Sequence, residues 1–388
     1  MTGGPPLLAE QAAFDALIAS LAGEPLLALD TEAASFHRYR DRVYLLQLST
    51  RTRTVIVDPL AVPDLGALRR LVADPAVEVL FHDADYDLRL LRQEHQVEVA
   101  TLFDTRVAAQ FLNEPGIGLA ALLEKYFGIT LDKQYQRADW SARPLTPGML
   151  AYAAADTAHL PALRDLLREQ LVAKGRLAWA EEEFARQRLA QWAPEAEQEP
   201  GWLKLKGAKA LRGRELAIVR ELWQWRDELA ARLDKAPFRI LNNEPIFAIA
   251  KLAPTELEAL RAVRGIGPDG LERRGREIVA AVKRALQRPD AETLRPPRGP
   301  RPVFDPTFDE RLERLKAART RVATRLDLPP GVTCPNGTLE AIARRAPETL
   351  EQLAEVKELR RWQLGEMGEE LLGALRADGR ADGRAGGP

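Results

Sequence analysis

The sequence predicts a mixed α/β domain followed by two all-helical units. Over the first 190 residues, short aliphatic and β-branched runs alternate with segments of helical periodicity. From about Leu160 the pattern is wholly helical, and two Pro-containing charged stretches interrupt it. Strands that first follow one another and then alternate with helices indicate a mixed sheet with helices on its faces.

The N-terminal elements follow in chain order from short patterns. Residues 14–23 have helical spacing and end on glycine, and an apolar strand is predicted over 26–33. Two β-branched runs with turn residues between them predict strands over 43–50 and 54–60. The remaining predictions are a helix over 65–74, a strand over 77–83, and helices over 85–95 and 104–112.

The helical half divides at two linkers. Residues 193–203 combine proline, glycine and charge, and residues 291–306 are dense in proline and arginine. The units after each linker share an order of features: a long charged helix, a Pro-containing loop and a short helix. This order predicts a degenerate repeat of about 80 residues. The tail, 377–388, is of low complexity and is predicted to be disordered.

Composition excludes several classes of protein. The single cysteine, Cys334, allows no internal disulfide and no multi-cysteine zinc site, and four histidines leave little material for a His-rich metal centre. No run of about 18 apolar residues predicts a membrane span, and the N-terminus lacks the pattern of a signal peptide. We therefore expect a soluble cytoplasmic protein.

Charge is unevenly distributed along the chain. Residues 1–201 carry 20 Lys and Arg against 29 Asp and Glu, residues 202–290 carry 19 against 12, and residues 306–376 carry 12 of each. A basic middle region beside an acidic first half is typical of a protein that contacts nucleic acid.

Three acidic sites lie at the ends of predicted elements. Asp30 and Glu32 are two apart on a strand and so point the same way. The segment 81–91 places three aspartates where a strand gives way to a helix, and we expect Asp83 or Asp85 to cap that helix. Tyr152 and Asp156 are four apart on an alanine-rich helix, which predicts that this face packs closely against a neighbour.

Taken singly, each of these sites is better explained as ordinary strand or helix surface. Taken together, their carboxylates could bind two divalent cations, because Mg²⁺ prefers hard oxygen ligands. Two ions roughly 3.5–4 Å apart stabilise both the attacking and the leaving oxygen of an in-line phosphoryl displacement.

The order and spacing of these motifs resemble the ribonuclease D family within the DEDD exonuclease superfamily. Asp-x-Glu matches Asp30 and Glu32, "HDADYD" begins at His82, and Tyr-x3-Asp matches Tyr152 and Asp156. Two further segments resemble the family between these motifs, "LFDTRVAAQFL" with its aspartate at Asp104 and "TLDKQYQRADWSARPLT". The matches cover about 150 residues in the family's order.

This resemblance implies a ribonuclease H-like exonuclease fold and a site for two cations, Mg²⁺ or Mn²⁺. It implies metal ligands at Asp30, Glu32, Asp87 and Asp156, with Tyr152 positioning the attacking water and so marking the tyrosine subgroup. A phenol with a pKa near 10 is a poor base at neutral pH. Many relatives have phenylalanine after the glutamate where this sequence has Ala33, so packing against the terminal nucleotide is expected to differ.

The two helical units resemble HRDC domains, which act as nucleic-acid-binding or docking modules. The resemblance implies an exonuclease domain at 1–192, a first HRDC domain at 204–290 and a second, degenerate one at 307–376. Candidate RNA-binding residues, beyond the catalytic set, are Thr31, His82, Lys133, Lys204, Lys206, Lys209 and Arg212. Phosphate contacts by such lysines and arginines would be salt-dependent and indifferent to base sequence.

The prediction is a monomeric, metal-dependent 3′–5′ exoribonuclease that acts on tRNA precursors and other structured RNAs. Two alternatives stay open: a DNA 3′–5′ exonuclease in repair, which would use the same metal chemistry, and a non-catalytic nucleic-acid-binding module. The sequence contains no GxxxxGK[ST] phosphate loop, so an ATP-driven motor is not supported.

Overall fold

The computed structural model of the chain describes residues 5–192, 199–297 and 305–376. Much of both predicted linkers (193–198 and 298–304) and the tail, 377–388, lie outside the described residues. The predicted fold class, a mixed sheet flanked by helices and followed by helical modules, is confirmed.

The first domain is built on one six-stranded sheet in the order β1-β4-β3-β2-β5-β6. Its strands are β1 (Leu7–Leu8), β2 (Leu26–Glu32), β3 (Leu45–Ser49), β4 (Thr54–Val57), β5 (Glu78–Phe81) and β6 (Thr101–Asp104). β2 pairs antiparallel with β3 and parallel with β5, so it lies in the middle of the sheet.

Between residues 5 and 192, the described part of this domain, eight helices accompany the sheet. They are α1 (Gln11–Ser20), α2 (Gly66–Val72), α3 (Asp85–His95), α4 (Thr105–Phe111), α5 (Leu119–Phe127), α6 (Pro147–Ala158), α7 (Leu160–Ala173) and α8 (Leu177–Gln187). Of these, α6 packs across β2, β3 and β4, while α7 packs on β2 and β5.

Two strands at opposite edges of the sheet were not predicted. β1 has only two residues, and β6 has four, both too short to show an alternating pattern. The helix predicted from Asp104 begins at Thr105, because Asp104 ends β6 and caps α4 by accepting hydrogen bonds from two backbone N–H groups.

The first helical module contains α9 (Gly201–Lys204), α10 (Gly213–Leu233), α11 (Pro237–Ile240), α12 (Asn243–Leu252) and α13 (Pro268–Gln287). The second contains α14 (Phe308–Leu326), α15 (Pro330–Thr333), α16 (Asn336–Arg345), α17 (Leu350–Ala354) and α18 (Arg361–Arg376). Each long first helix ends on an aspartate in the left-handed conformation, Asp234 (φ 46°) and Asp327 (φ 49°). The predicted internal repeat is therefore visible in the backbone.

The same internal contact recurs in both modules. Arg226 of the first donates to the Leu241 carbonyl and to the Asn243 side chain, at 3.0 and 2.8 Å. Arg319 of the second donates to the carbonyl of Cys334 and to Asn336, at 2.9 and 2.7 Å. An arginine thus ties the long helix to the loop after it in each copy.

The second module packs against the exonuclease domain. Trp362 stacks on Trp179 with ring centroids 4.8 Å apart and meets Phe111 edge-on at 5.4 Å. Arg360 forms an ion pair with Glu183, 2.5 Å apart. This module, which has no net charge, therefore makes an extensive contact within its own chain.

Across the described ranges, we find no helix that combines the length and the hydropathy needed to cross a membrane.

Candidate active site

The centre of the site is the C-terminal end of β2. Asp30 and Glu32 lie on the same face of this strand, where Asp30 is directly opposite Gln47 of β3 and Glu32 is opposite Leu45. Both carboxylates are half-buried. Pairing with β5 ends at Ala28, whereas pairing with β3 continues to Glu32, so one neighbouring strand anchors the segment that carries the two carboxylates.

Helix α6 adds a third carboxylate to this face. Oxygen atoms of Asp30, Glu32 and Asp156 all lie within 4.8 Å of one another. The helix approaches the sheet closely: Ala153 is completely buried, and the Thr157 hydroxyl lies 2.7 Å from that of Ser49 on β3. These contacts explain the small residues of α6, since a larger side chain would hold the helix away from the sheet.

Asp87 approaches the same cluster from α3 but is not one of the three mutually close carboxylates. It is 8% exposed, and its Oδ1 accepts hydrogen bonds from the Thr31 backbone N–H (3.2 Å) and hydroxyl (2.5 Å). Thr31 lies between Asp30 and Glu32, so it links the first acidic motif to the second. Thr31 is a predicted substrate-binding residue, and in the structure its side chain donates a hydrogen bond to the Asp87 carboxylate.

The carboxyl groups oppose one another's ionisation. Burial, followed by the charges of Asp87, Asp156 and Glu32, raises the pKa of Asp30 well above its ordinary value. Burial, followed by the charges of Asp156 and Asp87, likewise raises the pKa of Glu32. Burial raises the pKa of Asp87 and that of Asp156 to about 7. Without a cation, the protein at neutral pH cannot ionise all four groups at low free-energy cost.

Two observations show that these residues suit divalent cations. The donor set consists of hard carboxylate oxygens, which Mg²⁺ and Mn²⁺ prefer. In addition, the Gln47 side chain opposite Asp30 is fully buried, and neither its oxygen nor its nitrogen has a hydrogen-bond partner among the described residues. An unpaired buried amide group costs about 1–3 kcal/mol, and a hydrated cation held by the neighbouring carboxylates would offer such a partner.

Tyr152 stands beside the carboxylates on α6. Burial, then the charges of Asp156, Glu32 and Asp30, raises the pKa of Tyr152 above its ordinary value, so the phenol keeps its proton at neutral pH. Its ring lies 5.9 Å from that of Tyr135 and 6.0 Å from that of Trp140. These contacts restrict the position of the Tyr152 ring and therefore of its hydroxyl oxygen.

The segment that carries Tyr135 and Trp140 is itself anchored to the sheet. Arg143 donates to both oxygens of Asp58, at 2.7 and 2.9 Å, and to the Tyr44 carbonyl at 2.9 Å. A cavity of about 400 Å³ lies between this segment and α6. Its lining residues include Tyr135, Tyr152, Asp156 and His159.

The second acidic motif differs from the prediction in its capping. The residue before α3 is Ala84, and no side chain caps it; Asp83 pairs instead with Arg106, and Asp85 pairs with Arg89. The prediction that Asp83 or Asp85 caps α3 is therefore wrong, although Asp85 does lie in the first turn of α3, where the helix dipole favours a negative charge. The backbone N–H groups of Asp83 and Ala84 donate to Asp104, a buried residue distant in sequence, which no local pattern reveals.

The other predicted substrate-binding residues are either half-buried with a partner or exposed. The Nδ1 of His82 lies 2.9 Å from the Thr105 hydroxyl, and burial lowers its pKa to about 4, so this ring is neutral. Lys133 is exposed on the loop after α5. Four basic residues of the first module, all exposed, are Lys204, Lys206, Lys209 and Arg212.

Lys209 and Arg212 also make polar contacts close to their own positions. Lys209 forms an ion pair with Glu199 at 2.8 Å, and Arg212 donates to the carbonyls of Lys209 and Leu211.

Gln47 is the residue of the candidate site that the sequence analysis did not single out. The signal was present, since a glutamine interrupts the otherwise apolar run "VYLLQL".

Three parts of the chain match models of known protein families. Residues 7–172 match the family model of 3′–5′ exonucleases, and residues 215–282 and 308–375 each match the HRDC domain. Ribonuclease D of Gluconacetobacter diazotrophicus is 32% identical over 97% of this chain and 93% of its own. Ribonuclease D of Acidiphilium cryptum is 35% identical over 78% of this chain and 77% of its own.

A solved structure shares the whole architecture. The crystal structure of a protein from Bifidobacterium adolescentis is 28% identical and superposes with a TM-score of 0.82 over 96% of this chain and 97% of its own. The arrangement of a sheet domain and two helical modules is therefore found in a second protein.

Proposed function

Because the chain belongs to the ribonuclease D family and is a 3′–5′ exoribonuclease, we propose that its active site is the carboxylate cluster of Asp30, Glu32, Asp87 and Asp156. The observation that carries this proposal is the mutual approach of Asp30, Glu32 and Asp156 within 4.8 Å. Dependence on divalent metal ions follows from the family and from this donor set.

We further propose that two cations, Mg²⁺ or Mn²⁺, are held by these four carboxylates. When bound, the cations would acidify the attacking water and neutralise charge on the departing 3′ oxygen. Asp30 and Glu32 would hold them from the rigid strand, and Asp156 from α6. Thr31 would orient Asp87 through its two hydrogen bonds.

Tyr152 completes the proposed catalytic set. As a neutral phenol beside three carboxylates, it can donate a hydrogen bond but does not act as a base at neutral pH. Its role would be to orient the attacking water against the terminal phosphodiester. The rings of Tyr135 and Trp140, which pack against the ring of Tyr152, would hold the phenol in place for this role.

The proposed substrates are tRNA precursors and other structured RNAs with 3′ extensions, bound by a monomer in the cytoplasm. The exonuclease domain, 1–192, is acidic, whereas 204–290, proposed as the first HRDC domain, is basic. We assign phosphate contacts to this basic module. For the second module, 307–376, the contacts with α4 and α8 favour a structural role.

The test is cleavage of a 3′-extended tRNA under metal titration. Asp30→Asn should abolish nucleotide release while leaving RNA affinity largely intact, because it removes a metal ligand and no proposed phosphate contact. Asp85→Asn is a matched control, since Asp85 lies on α3 near Asp87 but is exposed and paired with Arg89. Wild-type turnover by Asp30→Asn, with Mg²⁺ or Mn²⁺ supplied, would refute the site.

A second arm compares ribose and 2′-deoxyribose oligonucleotides of equal length. Equal or faster degradation of the deoxyribose substrate would contradict the proposed RNA substrates. A third arm replaces Lys204, Lys206 and Lys209 together by alanine. The slope of log affinity against log salt should fall by roughly one for each phosphate that the variant no longer binds, and an unchanged slope would remove this surface from the proposal.

A further inference from the structure

Two exposed phenylalanines from different domains meet beside the active-site strand. Phe36 follows Glu32 by four residues, and Phe238 belongs to α11 of the first helical module. Their ring centroids are 6.3 Å apart at an interplanar angle of 72°, yet each residue remains 44% exposed. The Arg137 guanidinium lies 5.3 Å from the Phe36 ring centroid.

The backbone that carries these rings is fixed by hydrogen bonds between the domains. Arg239 donates to the Phe36 carbonyl at 2.6 Å and to Nδ1 of His37 at 3.0 Å. His37 in turn donates from Nε2 to the Arg137 carbonyl at 3.0 Å. A ring with a proton on Nε2 satisfies both contacts, and Asp139 lies 3.7 Å from its Nδ1.

Docking of the domains does not require the exposed faces of these rings. Arg38 pairs with Asp234 at 3.2 Å, and the Tyr39 hydroxyl donates to Asp227 at 2.8 Å. These polar contacts already join the same loop to the same module. Rings that served only to hold the domains together would be expected to bury more of their surface.

The surroundings of the rings have the charge that a polyanion requires. The segments 36–40, 137–139 and 234–239 contain five lysines and arginines against two aspartates. The exonuclease domain as a whole has the opposite balance. Exposed aromatic rings among arginines are the usual means of binding single-stranded nucleic acid without reading its sequence.

We propose that Phe36 and Phe238 form a base-stacking platform for single-stranded RNA just upstream of the scissile phosphate. The inference rests on the proposed function. Four residues span at most about 14 Å, which places the platform within the second to fourth nucleotides from the 3′ end. The first helical module thereby contributes directly to substrate positioning at the active site.

The experiment uses the full chain carrying Asp30→Asn, so that RNA is bound but not cut. The probe is a fluorescent oligoadenylate series in which a single abasic nucleotide is moved through each of the six 3′-terminal positions. An abasic nucleotide at one of positions two to four should lower affinity by about tenfold, because stacking on an aromatic ring is lost. The other positions should show smaller penalties.

The decisive comparison adds Phe36→Leu or Phe238→Leu. Either substitution should weaken binding of the intact oligonucleotide by about tenfold and should remove the abasic penalty at the same position. Phe238→Tyr, which retains a ring, should preserve the penalty. Leu252→Ala, at a comparably exposed apolar residue of the same module (47%), should leave both affinity and penalty unchanged.

Each outcome decides the inference. If the leucine variants weaken all oligonucleotides equally and keep the abasic penalty, the rings only hold the domains together and the proposal is overturned. If no position shows an abasic penalty, it is likewise overturned. Failure of the wild-type chain to degrade RNA with Mg²⁺ or Mn²⁺ would instead count against the proposed function.

Discussion

In metal-free protein, replacing Asp156 by asparagine should stabilise the fold at neutral pH. Burial and the charge of Asp87 raise the pKa of Asp156 from 3.8 to about 7. Between these values the unfolded chain releases the proton and the folded chain keeps it. The free energy of unfolding therefore falls as pH rises through this window and levels off above pH 7.

The magnitude follows from the size of the pKa shift. One pKa unit corresponds to about 1.36 kcal/mol, so the full shift of Asp156 costs the ionised, metal-free protein about 4 kcal/mol. Between pH 5 and pH 8, the stability advantage of Asp156→Asn over wild type should grow by about 2.7 kcal/mol. Saturating Mg²⁺ should reverse the order, because only the wild type keeps all its ligands.

The assay is urea unfolding of both proteins in EDTA at a series of pH values, repeated with excess Mg²⁺. The measured quantity is the difference between the two unfolding free energies at each pH, which cancels the titration of groups elsewhere in the chain. Asp85→Asn, at an exposed carboxylate of α3 that pairs with Arg89, is the control for the loss of one negative charge. A flat curve for Asp156→Asn in EDTA would refute the electrostatic account of the site.

Three other perturbations test the supports of the site. Thr31→Val removes a hydroxyl donor to a carboxylate on α3 and should weaken Mn²⁺ binding by about tenfold in calorimetry; unchanged affinity would contradict that support. Arg143→Ala leaves the buried Asp58 without its ion-pair partner and should lower the free energy of unfolding by about 3–5 kcal/mol, measured by thermal unfolding. Arg143→Lys should not restore this stability, because lysine cannot form the same two-pronged contact. Arg360→Ala removes the ion pair with Glu183 and should speed backbone hydrogen exchange at the start of α18, while exchange in β2 stays slow.

The sequence was informative where chemistry depends on local spacing. Asp30 and Glu32 share a strand face because two residues separate them, and Tyr152 and Asp156 share a helix face because four do. The order of strands and helices was also legible, as was the helical repeat. All of these features lie within a few residues of one another, where periodicity acts.

The features that the sequence did not reveal depend on contacts between distant segments. Asp104 caps α4 and also binds the backbone before α3, and only the pairing of β5 with β6 brings these groups together. The environment of Gln47 follows from its register with Asp30. Neither relation is encoded in residue spacing, so each required the folded chain.

The end of β2 is constrained from two directions, and this has a consequence for how the domains work together. On one side Thr31 is bonded to Asp87, and on the other the loop after Glu32 is bonded to α11 through Phe36 and Arg239. Only a few residues separate the two attachments. A displacement of the first helical module would therefore pull on the strand that carries Asp30 and Glu32, two of the proposed metal ligands. We therefore expect the basic module to affect catalysis through the position of β2 as well as through its proposed contacts with RNA, so its removal should lower turnover even at saturating substrate.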